Sequence, residues 1–237
     1  MTAQSSAMAD SGRSARLAAS IEATQRMNQM YRWQRSIYDV TRRYYLLGRD
    51  QLIAGLHPRA GDAVLEIGSG TGRNLICAAQ RYPYATFFGV DVSTEMLTTA
   101  LAAITRARLD DRIRVRHGDA TAFDAEALFG RATFDHLMIS YSLSMIPHWR
   151  RVLEAAVNLL GEGGQLHVVD FGHCERLPTF VRALLLRWLA LFDVTPRRGL
   201  EQALREIAMR RGATLVMQRP FRGYAHTAVL TLPAARK

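Results

Sequence analysis

Cysteine is scarce in this 237-residue chain: Cys77 and Cys174 stand alone, with no CxxC spacing. Two such thiols exclude a disulfide framework and suit a reducing compartment. Cys77, on a helical pattern, reads as a small buried apolar residue. Lysine is almost missing, since 30 of the 31 basic residues are arginine, as Ala/Arg-rich coding would give. No uncharged apolar run reaches the roughly 18 residues of a bilayer-spanning helix. The chain does not open with the charged-then-apolar pattern of a secretion signal, so the expected location is the cytoplasm. His117, His136, His148 and His167 are scattered without ligand spacing, which argues against a metal. Internal repeats are absent as well.

What is present is globular. Hydrophobic residues make up 49% and charged residues 22%, enough for one well-buried α/β domain. Residues 1–20, rich in Ala, Ser, Thr and Gln, read as a disordered tail. The net charge of +10 is segregated. Residues 1–60 hold nine basic and four acidic side chains, residues 61–171 ten and thirteen, and residues 172–237 twelve and four. A slightly acidic core between two basic flanks predicts an anionic partner, a membrane surface or nucleic acid.

Ala63-Val-Leu-Glu-Ile67 fits a buried parallel strand, and Gly68, Gly70 and Gly72 follow it at once. Glycines so placed mark a sharp strand-to-helix turn where a ligand can approach the backbone. A dinucleotide fingerprint would want glycine at position 73, where Arg73 stands. Apolar runs at 85–90, 113–117, 134–140 and 165–170 alternate with helical patterns near 72–82, 93–108 and 147–160. That alternation implies right-handed crossovers and a parallel sheet covered on both faces. Gly161-Glu-Gly-Gly164 reads as a C-cap before the fifth strand. Thr214–Gln218 and Ala228–Leu232 read as a closing pair with one antiparallel strand.

The stretch Val64–Asn74 resembles motif I of the class I S-adenosylmethionine-dependent methyltransferases. The resemblance implies an α/β, Rossmann-like, seven-stranded and mostly parallel sheet with helices on both faces. It also implies a helical cap over residues 21–60, a methyltransferase domain over 61–237 and an apolar insertion at 172–198, the cap and insertion forming a substrate lid. S-adenosylmethionine is then the cofactor and S-adenosylhomocysteine the product, with no metal. Glu66, Gly68, Ser69, Gly70, Thr71 and Gly72 form its turn. Asp91, at the tip of the second strand, suits a ribose because a carboxylate accepts from both hydroxyls, and Val92 stands beside it. Asp119 and Ala120 are placed to meet an adenine amino group, and Ser140 and Tyr45 complete the cofactor set.

Met30–Asp50, containing Tyr38-Asp-Val-Thr-Arg-Arg-Tyr-Tyr45, resembles the N-terminal signature of the bacterial diacylglyceryl-homoserine N-methyltransferases of betaine-lipid synthesis. Ser140–Pro147, Val169–Gly172 and Val194–Arg197 are similar to that family's later landmarks. The resemblance implies three methylations of the amine of diacylglyceryl-homoserine, and a partner enzyme that makes this lipid. Methyl transfer from a sulfonium needs an in-line lone pair, so proximity and orientation supply most of the catalysis. The ammonium must first lose a proton, and the growing quaternary cation suits aromatic faces. Tyr38 and Tyr141 are the catalytic candidates, with Tyr44 and Tyr45 as further aromatic contacts. Arg42, Arg43 and Arg49 suit the substrate carboxylate, which a guanidinium grips bidentately, with Ser144 beside them. The tyrosines equally suit simple helix packing. Arg42 and Arg43 are adjacent and point to different sides of a helix, so one suffices.

The segment Phe180–Phe192 leaves two readings open. Arg182 and Arg187 lie about 140° apart around a helix and make no polar stripe, as in a buried helix. The alternative is a helix lying on lipid, which with the basic flanks predicts peripheral association with the anionic inner face of the cell membrane. Nucleic acid fits poorly, because the segment after the fourth strand lacks the Asn/Asp-Pro-Pro-Tyr/Phe pattern of base-amino methyltransferases. Methylation of phosphatidylethanolamine or of a polyprenylated quinone ring stands as the alternative function. A silent scaffold would carry a degraded glycine turn, and this turn is intact.

Overall fold

The computed structural model describes residues 46–192 and 194–234. The expected tail at 1–20 and most of the expected cap over 21–60 lie outside these residues, as do Tyr38, Arg42, Arg43, Tyr44 and Tyr45. Helix α1 (Arg49–Ala54) leads to β1 (Ala63–Ile67), α2 (Arg73–Arg81), β2 (Thr86–Asp91), α3 (Thr94–Arg106) and β3 (Ile113–His117). Then come α4 (Ala125–Phe129), β4 (Phe134–Ser140), α5 (Trp149–Asn158) and β5 (Leu160–Phe171). The chain closes with α6 (Thr179–Ala190), α7 (Leu200–Arg211), β6 (Thr214–Gln218) and β7 (Ala225–Thr231).

The seven strands of the described residues form one sheet in the order β3-β2-β1-β4-β5-β7-β6. β7 runs antiparallel to β5 and β6, and every other pairing is parallel. β1 lies between β2 and β4 with all five residues buried, four of them apolar and the fifth Glu66, because helices cover both faces and neither meets water. Removing a side chain such as Leu65 or Ile67 from water stabilises the fold by about 1.5–3 kcal/mol. Edge-to-face contacts among Phe88, Phe129 and Phe134, with ring centroids 5.3–6.3 Å apart, tie β2, α4 and β4 together. In β2, a Cβ on Gly89 would stand 2.7 Å from Leu75 Cδ1 and 2.8 Å from Ser69 Cβ. Its bare backbone is what lets α2 and the glycine turn lie close against the sheet. Strand order reverses between β1 and β4, and the carboxyl ends of these strands open the crevice where α/β sheets take ligands.

Two expectations change, and one reading left open is narrowed. Gly161–Gly164 is not a C-cap: Leu159 ends α5 in the right-handed region, and the glycines lie within β5. They form a bulge, since Phe134 pairs with Leu160 but His136 pairs with Gln165. The Gly163 N–H turns aside to donate to the Pro233 carbonyl, with φ at +70°. Cys77 is half-buried rather than buried. The apolar helix α6 buries only Leu189, while Phe180, Leu184 and Leu191 are exposed. Among the described residues no helix is long and apolar enough to cross a membrane.

Candidate active site

The site grows from the turn after β1. Gly68, Gly70 and Gly72 have φ of +75°, +53° and +71°, in the left-handed region that a Cβ disfavours. The N–H groups of Gly68 and Ser69 donate to the Val90 carbonyl at 2.9 and 3.1 Å, which binds the turn to the end of β2. Gly72 closes the loop onto the Ser69 carbonyl and starts α2. Asp91 holds the same corner with both oxygens: Oδ2 accepts from the Gly70 N–H at 2.7 Å and Oδ1 from the Ser93 N–H at 2.9 Å. A carboxylate offers about four acceptor positions, so each oxygen keeps one lone pair for a ligand. Beside it Val92 exposes 68% of its surface, an apolar patch at a polar corner.

Glu66 is fully buried one residue before the turn, and its Oε1 accepts from Asn74 Nδ2 at 2.7 Å. Asn74 was not singled out in the sequence, although its place in the first turn of α2 is within reach of the strand end. Thr71 is half-buried in the turn, and Ser69 is buried. After β3, Asp119 is exposed and accepts from the N–H and hydroxyl of Thr121, both at 2.8 Å, which hold its carboxyl below the usual range. Ala120 is half-buried. Gly118 donates its N–H to the Asp91 carbonyl and so joins this loop to the same edge. Ser140, at the end of β4, is buried.

Arg49 is buried at 6% exposure, and its ion pair is a long 3.8 Å approach to the exposed Asp50. Burial and then the neighbouring Arg73 lower its pKa, while Asp50, Cys77 and Glu66 oppose them. A guanidinium beside the glycine turn with so little carboxylate pairing can accept an anion.

Two candidates sit differently from expectation. Tyr141 presents no open aromatic face. It is wholly buried at φ +55°, its ring packs edge-on to Phe171 at 4.5 Å, and its hydroxyl donates to the Leu47 carbonyl. Burial pushes its pKa well above the ordinary phenol value. That placement suits positioning of the β4 end against the segment before α1. Ser144 is also fully buried, with its N–H on Asp170 Oδ2 at 3.1 Å, so substrate does not reach it in this state.

The loop after β4 is held by residues that lie far away in sequence. Arg197 donates from Nε to the Leu143 carbonyl at 2.8 Å and from Nη2 to the Ile146 carbonyl at 2.9 Å. Thr195 donates its N–H to the Ser144 carbonyl. Asp170 accepts from Ser144 and Phe171, and complete burial still pushes its pKa up to about 6. The three similar segments, Ser140–Pro147, Val169–Gly172 and Val194–Arg197, are thus one packed unit. Just beyond β5, Glu175 Oε1 stands 3.5 Å from His226 Nε2 and 3.4 Å from Arg219 Nη1. Burial lowers the pKa of both His173 and His226. Sequence reading passed over this group because its members come from separate segments. Among the described residues no group of His, Cys, Asp or Glu could hold a metal.

Comparison with known proteins agrees with this geometry. Residues 64–164 match the family model described as a methyltransferase domain. A ubiquinone/menaquinone biosynthesis C-methyltransferase of Roseobacter denitrificans is 28% identical over 153 residues, covering 65% of this chain and 58% of that protein. A phosphatidylethanolamine N-methyltransferase of Cereibacter sphaeroides is 30% identical over 135 residues, covering 57% and 62%. The chain thus spans about three fifths of these relatives' lengths. An O-methyltransferase family protein from Burkholderia thailandensis superposes with a TM-score of 0.65 at 19% identity, over 85% of this chain and 59% of that one. Geranyl diphosphate methyltransferase in complex with SAM gives 0.61 at 17% identity, over 82% and 87%. At these identities the likeness to the solved structures is one of fold. The chain therefore has the fold of these solved methyltransferases, and residues 64–164 within it are similar to the methyltransferase-domain family.

Proposed function

We propose that this chain is an S-adenosylmethionine-dependent N-methyltransferase that trimethylates the amine of diacylglyceryl-homoserine. S-adenosylmethionine, when bound, supplies an electrophilic methyl group on a sulfonium. The residues present fit it: three left-handed glycines leave the turn without side chains, and Asp91 keeps acceptor capacity for ribose hydroxyls. Val92 offers an apolar surface suited to a base, and Asp119 or the backbone near Ala120 suits its amino group. The proton that the substrate ammonium must lose can pass to water. Tyr38, Tyr44 and Tyr45, outside the described residues, are of the residue type whose faces suit a quaternary cation.

The observation that carries the substrate reading is Arg49. Homoserine lipid brings a carboxylate beside its amine and phosphatidylethanolamine a phosphodiester, whereas a quinone ring brings no anion, so Arg49 favours a lipid amine and the assay below separates the two lipids. A buried, weakly paired guanidinium at the glycine turn suits that carboxylate. The phosphatidylethanolamine relative supports amine methylation of a lipid more broadly.

The test offers purified protein each of the three substrates with S-adenosylmethionine and reads products by mass spectrometry. Homoserine lipid should be trimethylated in preference to the others. Turnover of phosphatidylethanolamine or a demethylquinone without the homoserine lipid would overturn the assignment. Tyr38→Ala should lower homoserine-lipid methylation at least tenfold, about 1.4 kcal/mol of transition-state stabilisation, with cofactor affinity unchanged. Normal turnover in that variant would reduce Tyr38 to packing.

A further inference from the structure

Helix α6 is apolar on both sides yet lies at the surface. At about 100° per residue, Phe180, Leu184, Arg187 and Leu191 fall within about 60° of arc, and Leu189 lies about 180° from Phe180. The structure agrees: Leu189 is 1% exposed, while Phe180, Leu184 and Leu191 are 77%, 71% and 69% exposed. Single exposed leucines are ordinary. Three large apolar side chains aligned outward on one helix, with the inner side also apolar, form a surface that water does not favour.

The charge on this face is positive. Arg205, Arg210 and Arg219 are paired with Glu201, Glu154 and Glu175, and Arg219 also with Glu201. Arg187, exposed within the same arc, makes no ion pair among the described residues, and residues 172–237 hold twelve basic side chains against four acidic. Apolar side chains around an unpaired guanidinium, on a segment of net positive charge, match a bilayer carrying anionic head groups, where the tails take the first and the phosphates attract the second. A second copy of the chain fits less well, since a two-fold contact through this face would oppose Arg187 to its own like charge.

We propose that the outer face of α6, formed by Phe180, Leu184 and Leu191 around Arg187, docks on an anionic lipid surface. α6 follows the carboxyl end of β5, the sheet edge that also carries the glycine turn. Docking there presents the cofactor edge to the bilayer. The docking argument stands on the helix alone; only its purpose rests on the proposed lipid substrate.

The experiment is co-sedimentation of the full chain, without S-adenosylmethionine, on vesicles of phosphatidylcholine alone or with phosphatidylglycerol. Wild type should partition onto the anionic vesicles and leave them as salt rises, because the Debye length falls from about 10 Å at 0.1 M to about 3 Å at 1 M. Phe180→Glu with Leu184→Glu should reduce that partition at least tenfold, with melting temperature and S-adenosylmethionine affinity held. Arg187→Glu should reduce binding to anionic vesicles only. Equal partition of wild type and double variant would overturn the proposal, as would equal binding of wild type to neutral and anionic vesicles. Splitting of a wild-type dimer by the double variant, with vesicle binding unchanged, would assign the face to self-association instead. Methylation of a short-chain, monomeric homoserine lipid needs no surface, so its failure would count against the substrate reading alone.

Discussion

Alanine at position 68 tests how tightly the glycine turn is pressed against the loop after β4. At φ +75° an L-residue costs about 1–2 kcal/mol. Its Cβ would also stand 2.7 Å from Ser142 Cβ and 3.0 Å from Ser142 Oγ, an overlap worth about 1–3 kcal/mol where packing cannot relax. Gly68→Ala should therefore destabilise the protein by roughly 2–5 kcal/mol. Ser142→Gly removes the atoms that are struck. It also removes the Ser142 Oγ bond to the Ile67 carbonyl, 3.2 Å long, at about 0.5–1.5 kcal/mol. The double variant should recover the overlap but keep the backbone strain, giving a favourable coupling of about 1–3 kcal/mol in a double-mutant cycle. Urea melts of the four proteins read all three terms. Additive losses, or a stable Gly68→Ala, would refute the close approach of turn and loop.

Two further perturbations follow from the same geometry. Asp91→Ala removes two backbone hydrogen bonds to a charged acceptor, each worth about 1.5–3 kcal/mol before solvent exposure reduces it. Calorimetry should show S-adenosylmethionine affinity at least tenfold weaker in the folded variant, and unchanged affinity would count against the cofactor turn. Asp170 keeps its proton in the folded state to about pH 6, against 3.8 for the ordinary group. At this carboxyl the folded protein therefore binds more protons than the unfolded chain between these values. The Asp170 contribution to stability should fall by about 3 kcal/mol as pH rises across that window, while His167, whose pKa burial lowers to about 4, contributes a rise of opposite sign over much of the same range. The difference in stability between wild type and Asp170→Asn should therefore change by about 3 kcal/mol between pH 4 and 6, and a difference that stays constant across that range would refute the assignment.

Much of the scaffold was legible in the sequence because its signals are local. β1 announces itself through five consecutive buried residues and the glycines after it, and the alternation of strand and helix leaves few topologies. Asp91 was legible as well, since its position at a strand tip is a matter of spacing. Gly161–Gly164 misled because glycine serves a bulge as well as a C-cap, and only the pairing of β4 with β5 distinguishes them.

The sequence alone determined the sheet, the glycine turn and the acidic residue at the tip of β2, since backbone conformation and apolar periodicity are properties of neighbouring residues. Tertiary structure alone decided which side chains are reachable. It turned Tyr141 inward onto Leu47 and Ser144 onto Asp170, and it brought Arg197 back to hold the β4 loop. It also left the apolar outer face of α6 in solvent, which helical periodicity could not settle: a helix apolar on all sides shows which face is buried only when its neighbours are in place.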